Sequence, residues 1–441
     1  MKNIIQPLQS GEAARLIPVV KDTSREDRAS SILLASFRAV PAFSKAMLKS
    51  VGQRVGVHSK IDCYTQVVLE KPFENKLRPD GLIRIERSGK VWMALIEAKI
   101  GNATLDKEQI QTYIDLAKVN GIDAVITISN EFSTLPTFHP IKFGVRELKG
   151  IELFHWSWLH TITQGLLIQQ GEEIQNDTQT FVLDEFLRYF EHDSVGVKGF
   201  NQMNPEWKQV VQDILNGAQL KKNSPEILNT IKAWHQESRD LCMIMSRHLG
   251  APAKELLARS HVKDSDQRLK YDVEKLVSSN ELSCTLEIPD TAAVIEITAN
   301  LQRRSISCSM RLEAPKDPKT NKPQINWLLK QLTKTSEECI HIRAWHKNAQ
   351  LPSQAALSIV RTSPQCLVAD GKEKVLFARF EVAMVCDLAG KFSGTQTFIK
   401  SLEDLIPEFY AQVGQHLRAW VPPPPKPQSK EQEESLIIPN S

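Results

Sequence analysis

The chain of 441 residues contains no apolar run that approaches the roughly 20 residues needed to span a bilayer. Residues 1–15 lack the apolar core of a signal peptide. The seven cysteines are odd in number and never spaced as Cys-x-x-Cys, which argues against a disulfide framework or a zinc knuckle. These absences predict a cytoplasmic protein in a reducing compartment, with no membrane partner.

Neither sign of charge is in large excess over the whole chain, whose formal net charge is only +3. The basic residues are nevertheless clustered. Residues 301–350 hold ten Lys or Arg against four acids, and residues 1–60 also hold ten against four. Because phosphate binding needs clustered positive charge, the region 303–347 is a candidate nucleic-acid contact. A solvated surface would explain the same clustering.

The most informative local pattern predicts a β-hairpin. Two runs rich in apolar residues begin at Leu82 (LIRIE) and Val91 (VWMALIEAKI), and each has the length of a strand. Between them lie Ser88 and Gly89, a pair suited to a tight reversal.

Charged side chains gather at the open end of this hairpin. Alternate residues of a strand share a face, so Glu97 and Lys99 should point the same way, with Ala98 packed on the other face. Asp80 precedes the partner strand and should lie within a few residues of Glu97 across the ladder. A slip of one residue in the register would send Glu97 and Lys99 to the wrong face.

Two carboxylates and one ammonium group suit phosphodiester hydrolysis. Asp80 and Glu97 would provide oxygen ligands for Mg²⁺, with the backbone carbonyl of Ala98 as another, and Mn²⁺ could replace the Mg²⁺. Lys99 would stabilise the transition state, or orient or deprotonate the water. The neighbouring carboxylates keep it charged, which favours the stabilising role. Taken alone, a Glu-x-Lys pair on a strand is more often a solvated salt bridge.

A predicted helix follows the hairpin. The segment 105–119 has apolar residues at helical spacing, and it places Gln109 and Tyr113 four residues apart on one face. The Pro-Asp dipeptide that ends at Asp80, the Glu-x-Lys pair and this helix are together a more specific signal than any one of them.

This pattern resembles the PD-(D/E)XK phosphodiesterase superfamily, and its Gln-x-x-x-Tyr resembles the RecB-like branch, over about residues 20–160. The resemblance implies a restriction-endonuclease-like α/β domain: a mixed sheet flanked by helices, in the order helix, three-stranded meander, helix, strand. The matching segments are a helix capped by Ser24, a strand from Ile61, the hairpin, the Gln/Tyr helix and a buried strand from Ile122.

The resemblance also implies roles for individual side chains. By this resemblance, Asp80 and Glu97 bind the metal and Lys99 is the catalytic lysine. Gln109 and Tyr113 support the site or contact the nucleic-acid backbone. Glu26 resembles a first-helix acid of some branches and would be a further metal ligand. Glu26 or Asp27 could equally be a favourable charge near the helix N-terminus.

Four parts are predicted in total. They are the nuclease-like domain, a helical segment or linker, an α+β recognition or partner domain with an antiparallel sheet, and a disordered proline-rich tail: residues 1–170, 171–260, 261–420 and 421–441. In the third part, AALSIVRT from Ala355 is predicted to be a strand, and Pro407 to kink or break the last helix. That part contains no phosphate-binding glycine loop and no nucleophile elbow.

The predicted function is metal-dependent hydrolysis of phosphodiester bonds, with DNA rather than RNA as the expected polymer. A nuclease domain with a large appendage resembles endonucleases of bacterial defence or restriction, by analogy of fold. The appendage would recognise a target, a partner or a second copy of the chain. Two alternatives stay open: a nucleic-acid-binding or interaction protein with an inactive nuclease fold, and a structural protein in which the Glu-x-Lys pair is incidental.

Overall fold

The chain forms two compact units. The first comprises residues 1–289, 297–306 and 387–407, and the second comprises residues 290–296, 307–386 and 408–441. The computed structural model describes residues 8–18, 21, 24–71, 78–133, 135–171, 174, 176–336 and 339–422. Apart from residues 421 and 422, the predicted proline-rich tail lies outside the described residues.

The N-terminal part of the first unit alternates strands and helices. In chain order its elements are β1 (Leu8–Ala13), α1 (Arg25–Ala39), α2 (Pro41–Ser50), β2 (Lys60–Leu69), β3 (Gly81–Arg87), β4 (Lys90–Ala98), α3 (Lys107–Asn120), β5 (Ala124–Ser129), α4 (Val145–Leu148), β6 (Glu152–Ser157) and α5 (Trp158–Gln170). The helical segment that follows contains α6 (Asp177–Glu191), a 3-10 turn (Asp193–Val195), α7 (Trp207–Leu215) and α8 (Pro225–Leu249).

The six strands β1 to β6 form one mixed sheet in the order of the chain. β1 to β4 pair antiparallel, whereas β4, β5 and β6 pair parallel. From α1 to β5 the elements follow the predicted order of helix, three-stranded meander, helix and strand, with one added helix, α2, before the meander. Parallel strands begin at β4, so the carboxyl ends of β4 and β5 meet at one edge of the sheet.

Helices cover both faces of this sheet. Alternation along β4 places Ala94, Ile96 and Ala98 in the core shared with α1, α2, α5 and α6. Leu95 belongs instead to the core shared with α3. Because Glu97 has the same parity as Leu95, it lies on the face that α3 covers.

The predicted hairpin is present. Ser88 and Gly89 both have positive φ, at 48° and 77°, as a tight two-residue reversal between β3 and β4 requires. The ladder runs from the pair Arg87 and Lys90 to the pair Gly81 and Ile96. The register therefore brings the residue before Gly81 beside the end of β4.

Two helix starts differ in how they are capped. Ser24 occupies the N-cap position of α1, but its side chain makes no capping hydrogen bond, so the prediction that it caps the helix is wrong in that respect. At α3, the side chain of Asp106 accepts the amide N–H of Gln109, which closes the first turn. Asp106 thus fixes the turn that carries Gln109.

The remaining elements build an antiparallel sheet with helices. In chain order they are β7 (Lys254–Glu255), α9 (Arg259–Lys263), α10 (Ser265–Ser279), β8 (Glu281–Glu287), β9 (Ile295–Asn300), β10 (Ser305–Glu313), α11 (Asn321–Gln331), β11 (Ile340–His346), β12 (Ser353–Ala356), α12 (Leu357–Thr362), β13 (Phe377–Asp387) and α13 (Thr395–Phe409). Two 3-10 turns (Pro364–Leu367 and Ala389–Ser393) and one π-turn (Tyr410–Gly414) complete the set. The strand order of this seven-stranded sheet is β12-β11-β13-β10-β9-β8-β7.

One local prediction for this region is wrong, and a second, that Pro407 kinks or breaks the last helix, is wrong as to the break. The predicted strand AALSIVRT ends as a strand at Ala356 and continues as the helix α12, because Leu357 and Val360 are buried at helical spacing. Pro407 does not break the last helix, which runs through it to Phe409. Helix α10 was not predicted from the sequence, and only Val273 and Leu276 among its apolar residues are buried.

No single helix among the described residues combines the length and the apolar composition that crossing a bilayer requires. The pair α1 and α2 meets the requirement only jointly, across a bend of 112°.

Candidate active site

The end of β4 carries a buried ion pair. Glu97 is only 3 % exposed, and its Oε1 lies 2.7 Å from Nζ of Lys99. The two side chains therefore share a face, as the alternation of the strand predicts. Ala98 between them is fully buried in the opposite core.

Asp80 meets the same strand through a hydrogen bond. The amide N–H of Ala98 donates to Oδ2 of Asp80 at 2.7 Å. This bond fixes the Asp80 carboxylate beside the peptide that joins Glu97 to Ala98. The structure thus brings Asp80, Glu97 and Lys99 together at one edge of the sheet.

Helix α3 supports this cluster from the side. Nε2 of Gln109 donates to Oε1 of Glu97 at 2.8 Å and lies 3.4 Å from Oη of Tyr113. The Tyr113 hydroxyl in turn donates to the carbonyl oxygen of Arg78 at 3.3 Å. Gln109 therefore orients one carboxylate, and Tyr113 anchors the segment that carries Asp80.

Glu26 adds negative charge from the first turn of α1. Its charge raises the pKa values of Asp80, Glu97 and Lys99, which places it in their electrostatic neighbourhood. Because it belongs to a helix on the opposite face, only the tertiary structure brings it toward this edge.

Burial sets the protonation of the acids. Desolvation and then the charge of Glu97 raise the pKa of Asp80 well above its usual value. Desolvation also raises the pKa of Glu97, against the opposing hydrogen bond from Lys99. Burial lowers the pKa of Lys99, but the hydrogen bond and charge of Glu97 outweigh it and raise this pKa overall. Lys99 is therefore a cation beside two acids whose charged forms are disfavoured.

The main chain of Lys99 is held by two residues that were not predicted as site residues. Its amide N–H donates to the carbonyl oxygen of Ile128 at 2.7 Å, and its carbonyl oxygen accepts from Nε1 of Trp158 at 2.8 Å. Trp158 is fully buried at the start of α5. No local pattern signals this role, since the contact joins elements about sixty residues apart.

Two histidines contact Thr127, the neighbour of Glu97 in the sheet. Thr127 is paired with Glu97 in the ladder, and its Oγ1 lies 2.8 Å from Nε2 of His139 and 2.8 Å from Nδ1 of His155. Burial lowers the pKa of His139 to about 4 and that of His155 to about 3, so both are neutral at pH 7. Across the described part of the chain, no group of three or more His, Cys, Asp or Glu side chains converges in a geometry that could hold a metal ion.

The basic region 303–347 is partly neutralised. Glu381 is 2 % exposed and accepts hydrogen bonds from Arg311 at 2.7 Å and from Arg343 at 2.6 Å. The guanidinium of Arg311 also lies 5.5 Å from the ring centre of Trp345, which is buried. Two of the ten basic side chains of the region are thus engaged by one carboxylate.

Replacing Gly81 with Ala is expected to destabilise the first unit and displace Asp80. An added Cβ would overlap Cδ1 of Leu34 and lie 3.1 Å from the carbonyl oxygen of Tyr64. The leucine tip can turn, but the carbonyl belongs to β2, so β3 would have to shift. Such overpacking costs about 1–3 kcal/mol, which urea unfolding measures.

Gly56→Ala is the matched control for this prediction, because an added Cβ there approaches only Oγ of Ser59, at 4.0 Å. Its unfolding free energy should stay close to that of the parent protein. A Gly81→Ala protein as stable as the Gly56→Ala protein would contradict the close packing of β3 against α1 and β2.

The chain was compared with known proteins by sequence and by structure. No protein-family model, no curated protein and no solved structure matches it.

Proposed function

We propose that this chain is a metal-dependent nuclease of the restriction-endonuclease-like fold, which hydrolyses phosphodiester bonds with DNA as its expected substrate. One observation carries the proposal: two carboxylates and an ammonium group meet at the end of β4. Nζ of Lys99 lies 2.7 Å from Oε1 of Glu97, and the amide N–H of Ala98 between them donates to Oδ2 of Asp80. Perturbed acids next to a fixed cation are typical of catalytic sites.

A divalent cation fits this set of donors. Mg²⁺ is usually bound by one or two carboxylates, with water and phosphate oxygens completing its shell. Asp80 and Glu97 would supply the two carboxylates, and the carbonyl of Ala98 would be a further donor. Among the described residues the carboxylate of Glu26, the other predicted ligand, does not converge with these two acids. A nearby cation would favour the charged forms that burial disfavours in Asp80 and Glu97. When bound, Mg²⁺ or Mn²⁺ supplies a Lewis acid for the phosphoryl group and acidifies water.

The chain's own residues would then orient the metal ligands and stabilise the transition state. Lys99 brings a fixed positive charge to phosphoryl oxygens that become more negative in the transition state. Its backbone, held at both the N–H and the carbonyl, limits the positions that this charge can occupy. Gln109 keeps the Glu97 carboxylate oriented, and Tyr113 ties down the strand start that carries Asp80.

The arrangement of elements supports the restriction-endonuclease-like assignment. The meander β2-β3-β4 delivers the acids, α3 follows with Gln109 and Tyr113, and β5 adds in parallel to β4. This is the order that the resemblance to the PD-(D/E)XK superfamily implies. The antiparallel sheet and its helices would serve recognition of a target, a partner or a second copy, with the region 303–347 as a candidate nucleic-acid contact.

A defence or restriction role follows only from analogy of fold. The direct test is chemical: the purified full chain is incubated with plasmid, linear and single-stranded DNA and with RNA, in Mg²⁺, in Mn²⁺ and in EDTA. Cleavage that requires the metal is the expected result, with DNA cleaved faster than RNA. Absence of cleavage in every metal-containing reaction would contradict the proposal.

A second function is a nucleic-acid-binding protein with an inactive nuclease fold. One observation favours it: Oε1 of Glu97 already accepts hydrogen bonds from both Lys99 and Gln109. A carboxylate so occupied can act as a structural acceptor. In the same experiment, binding to DNA without cleavage in any metal would support this alternative.

A further inference from the structure

A polar cavity in the first unit has a volume of about 820 Å³. Its walls include α1, which carries Glu26, and the segment that precedes Asp80. The segment after β1 contributes Arg15, α1 contributes Asp27 and Ser31, β2 contributes Thr65 and Gln66, and the start of β3 is preceded by Arg78. Thr65 is paired with Gly81, the residue after Asp80, and Arg78 lies two residues before Asp80, so the cavity borders the segment that carries Asp80.

Positive charge is in excess among the side chains that line this cavity. Arg15 and Arg78 are exposed, as is Lys21 on the same wall. Within the described ranges, no carboxylate forms an ion pair with any of these three side chains. Glu12 and Asp27 also line the cavity, which leaves three cations against two acids.

The cavity also presents uncommitted polar groups. Ser24 lies at the N-terminus of α1 and lines the cavity, yet its hydroxyl is not used to cap the helix. The positive end of the 15-residue helix α1 begins at the next residue. Hydroxyl and amide donors next to arginines are the groups that proteins use to hold phosphate oxygens.

One wall is shaped by a strained bulge. Gln66 has φ of 55°, a conformation that costs a non-glycine residue energy, and it lies inside β2. The register between β1 and β2 shifts there, since Glu12 pairs with Thr65 whereas Ser10 pairs with Val68. Bulges redirect side chains and are frequent beside active sites. Gln66 itself lines the cavity.

The segment that carries Arg15 is fixed rather than loosely attached. The amide N–H of Arg15 donates to Oγ of Ser31 at 3.0 Å, and the same hydroxyl donates back to the Arg15 carbonyl oxygen at 2.9 Å. Ser31 is buried in α1. The guanidinium of Arg15 therefore projects from a backbone that is tied to the helix containing Glu26.

We propose that this cavity binds the phosphates of one nucleic-acid strand on one side of the scissile bond, through Arg15, Arg78 and the start of α1. The proposal rests on the proposed nuclease activity. It assigns the substrate as a polynucleotide that extends several residues beyond the cleaved bond, rather than a small phosphodiester. A short ester would occupy Asp80, Glu97 and Lys99 without reaching Arg15.

The test compares substrates of different length. The full chain and its R15E and R15E/R78E variants are assayed in Mg²⁺ with a p-nitrophenyl ester of thymidine 5′-phosphate and with single-stranded oligonucleotides of 6 and 20 residues. The expected loss of kcat/KM in R15E/R78E is at least 10-fold larger for the 20-residue strand than for the ester. R15E alone should show a smaller loss of the same kind.

Binding is measured separately, by fluorescence anisotropy of a labelled 20-residue strand in EDTA at several salt concentrations. If two phosphate contacts are lost, the slope of log affinity against log salt should fall by about 1.4 in R15E/R78E. Lys118→Glu, a reversal of an exposed charge in the last turn of α3, is the control and should change neither measurement.

Equal affinity and equal salt slope in R15E/R78E and the parent protein would overturn the cavity proposal, whether or not cleavage occurs. A parent protein that binds the strand through Arg15 and Arg78 but cleaves no substrate would instead refute the nuclease activity alone. The two failures are therefore distinguishable.

Discussion

Asp80→Asn is expected to abolish metal-dependent cleavage while making the protein more stable at alkaline pH. Cleavage should fall roughly 10³-fold or more, because a neutral amide cannot hold the cation and the Asp80 charge is lost from the site. Lys99→Met should cause a loss of similar size, because no fixed cation would then face the phosphoryl oxygens. Initial rates on plasmid DNA measure both effects.

The gain in stability follows from the direction of the pKa shift. Burial and the charge of Glu97 raise the pKa of Asp80 in the folded protein, so the ionised carboxylate is less favourable there than in the unfolded chain. Such a group contributes stability at low pH that is lost as the pH rises through its folded pKa. Asn removes this loss and can still accept the Ala98 amide, so Asp80→Asn should gain on the order of 1 kcal/mol at pH 8.

Asp123→Asn is the matched control. Oδ2 of Asp123 accepts the amide N–H of Met93 at 2.8 Å, so it makes the same kind of contact to β4 from an exposed position. This variant should keep full cleavage and gain no stability. Undiminished cleavage by Asp80→Asn would refute the assigned site, and a marked loss of stability would show that Asp80 serves the fold instead.

Glu237→Met is expected to stabilise the first unit and to weaken the dependence of its stability on pH. Glu237 lies in α8, is fully buried, and neither of its carboxylate oxygens has a hydrogen-bond partner among the described residues. Desolvation, followed by the charges of Asp240 and Glu403, raises its pKa well above the usual value. A buried polar group without a partner costs roughly 1–3 kcal/mol in proteins.

The sign of the pH effect is fixed by that direction. An unfolded glutamate ionises near pH 4.3, so the parent protein should lose stability as the pH rises above about 4. Burial also raises the pKa of Asp240 to about 7, so part of the loss between pH 4 and 7 should remain in Glu237→Met. Urea unfolding at pH 5, 7 and 8.5 measures both contributions.

Glu226→Met provides the comparison within the same helix. Glu226 is exposed in the first turn of α8, where a negative charge is mildly favourable. Its replacement should lower stability by about 0.3–1 kcal/mol with little change in pH dependence. If Glu237→Met were destabilised at pH 8.5, Glu237 would have to be charged and satisfied in the fold, contrary to its surroundings.

The hairpin of β3 and β4 could be predicted because its determinants are local. Ser88 and Gly89 adopt the positive φ values of a tight reversal, and two-residue alternation then places Glu97 and Lys99 on one face. The turn sets the register of the hairpin, so the approach of Asp80 to the end of β4 also follows from the sequence. Helix geometry placed Gln109 and Tyr113 on one face of α3, whereas the role of Gln109 beside Glu97 was implied by the resemblance alone.

Other predictions failed where tertiary packing overrides local pattern. Leu357 and Val360 suit a strand by residue type, but both are buried in one turn of α12. Ser24 is a good capping residue by type, yet its hydroxyl is left uncommitted beside the cavity. Helix α12 packs against β11, β12 and the 3-10 turn Pro364–Leu367, whereas the backbone of Ser24, with φ −84° and ψ 65°, lies outside the extended region usual for a capping residue.

The sequence alone determined the short-range features: the hairpin, the face shared by Glu97 and Lys99, and the helix that carries Gln109 and Tyr113. These depend on turn chemistry and on the periods of strand and helix, which act over a few residues. Only the tertiary structure decided that Trp158 and Ile128 hold Lys99, that Glu26 adds its charge, and that Arg15 and Arg78 line one cavity. Those contacts join segments separated by tens of residues, and their energies arise only when the sheet and helices pack together.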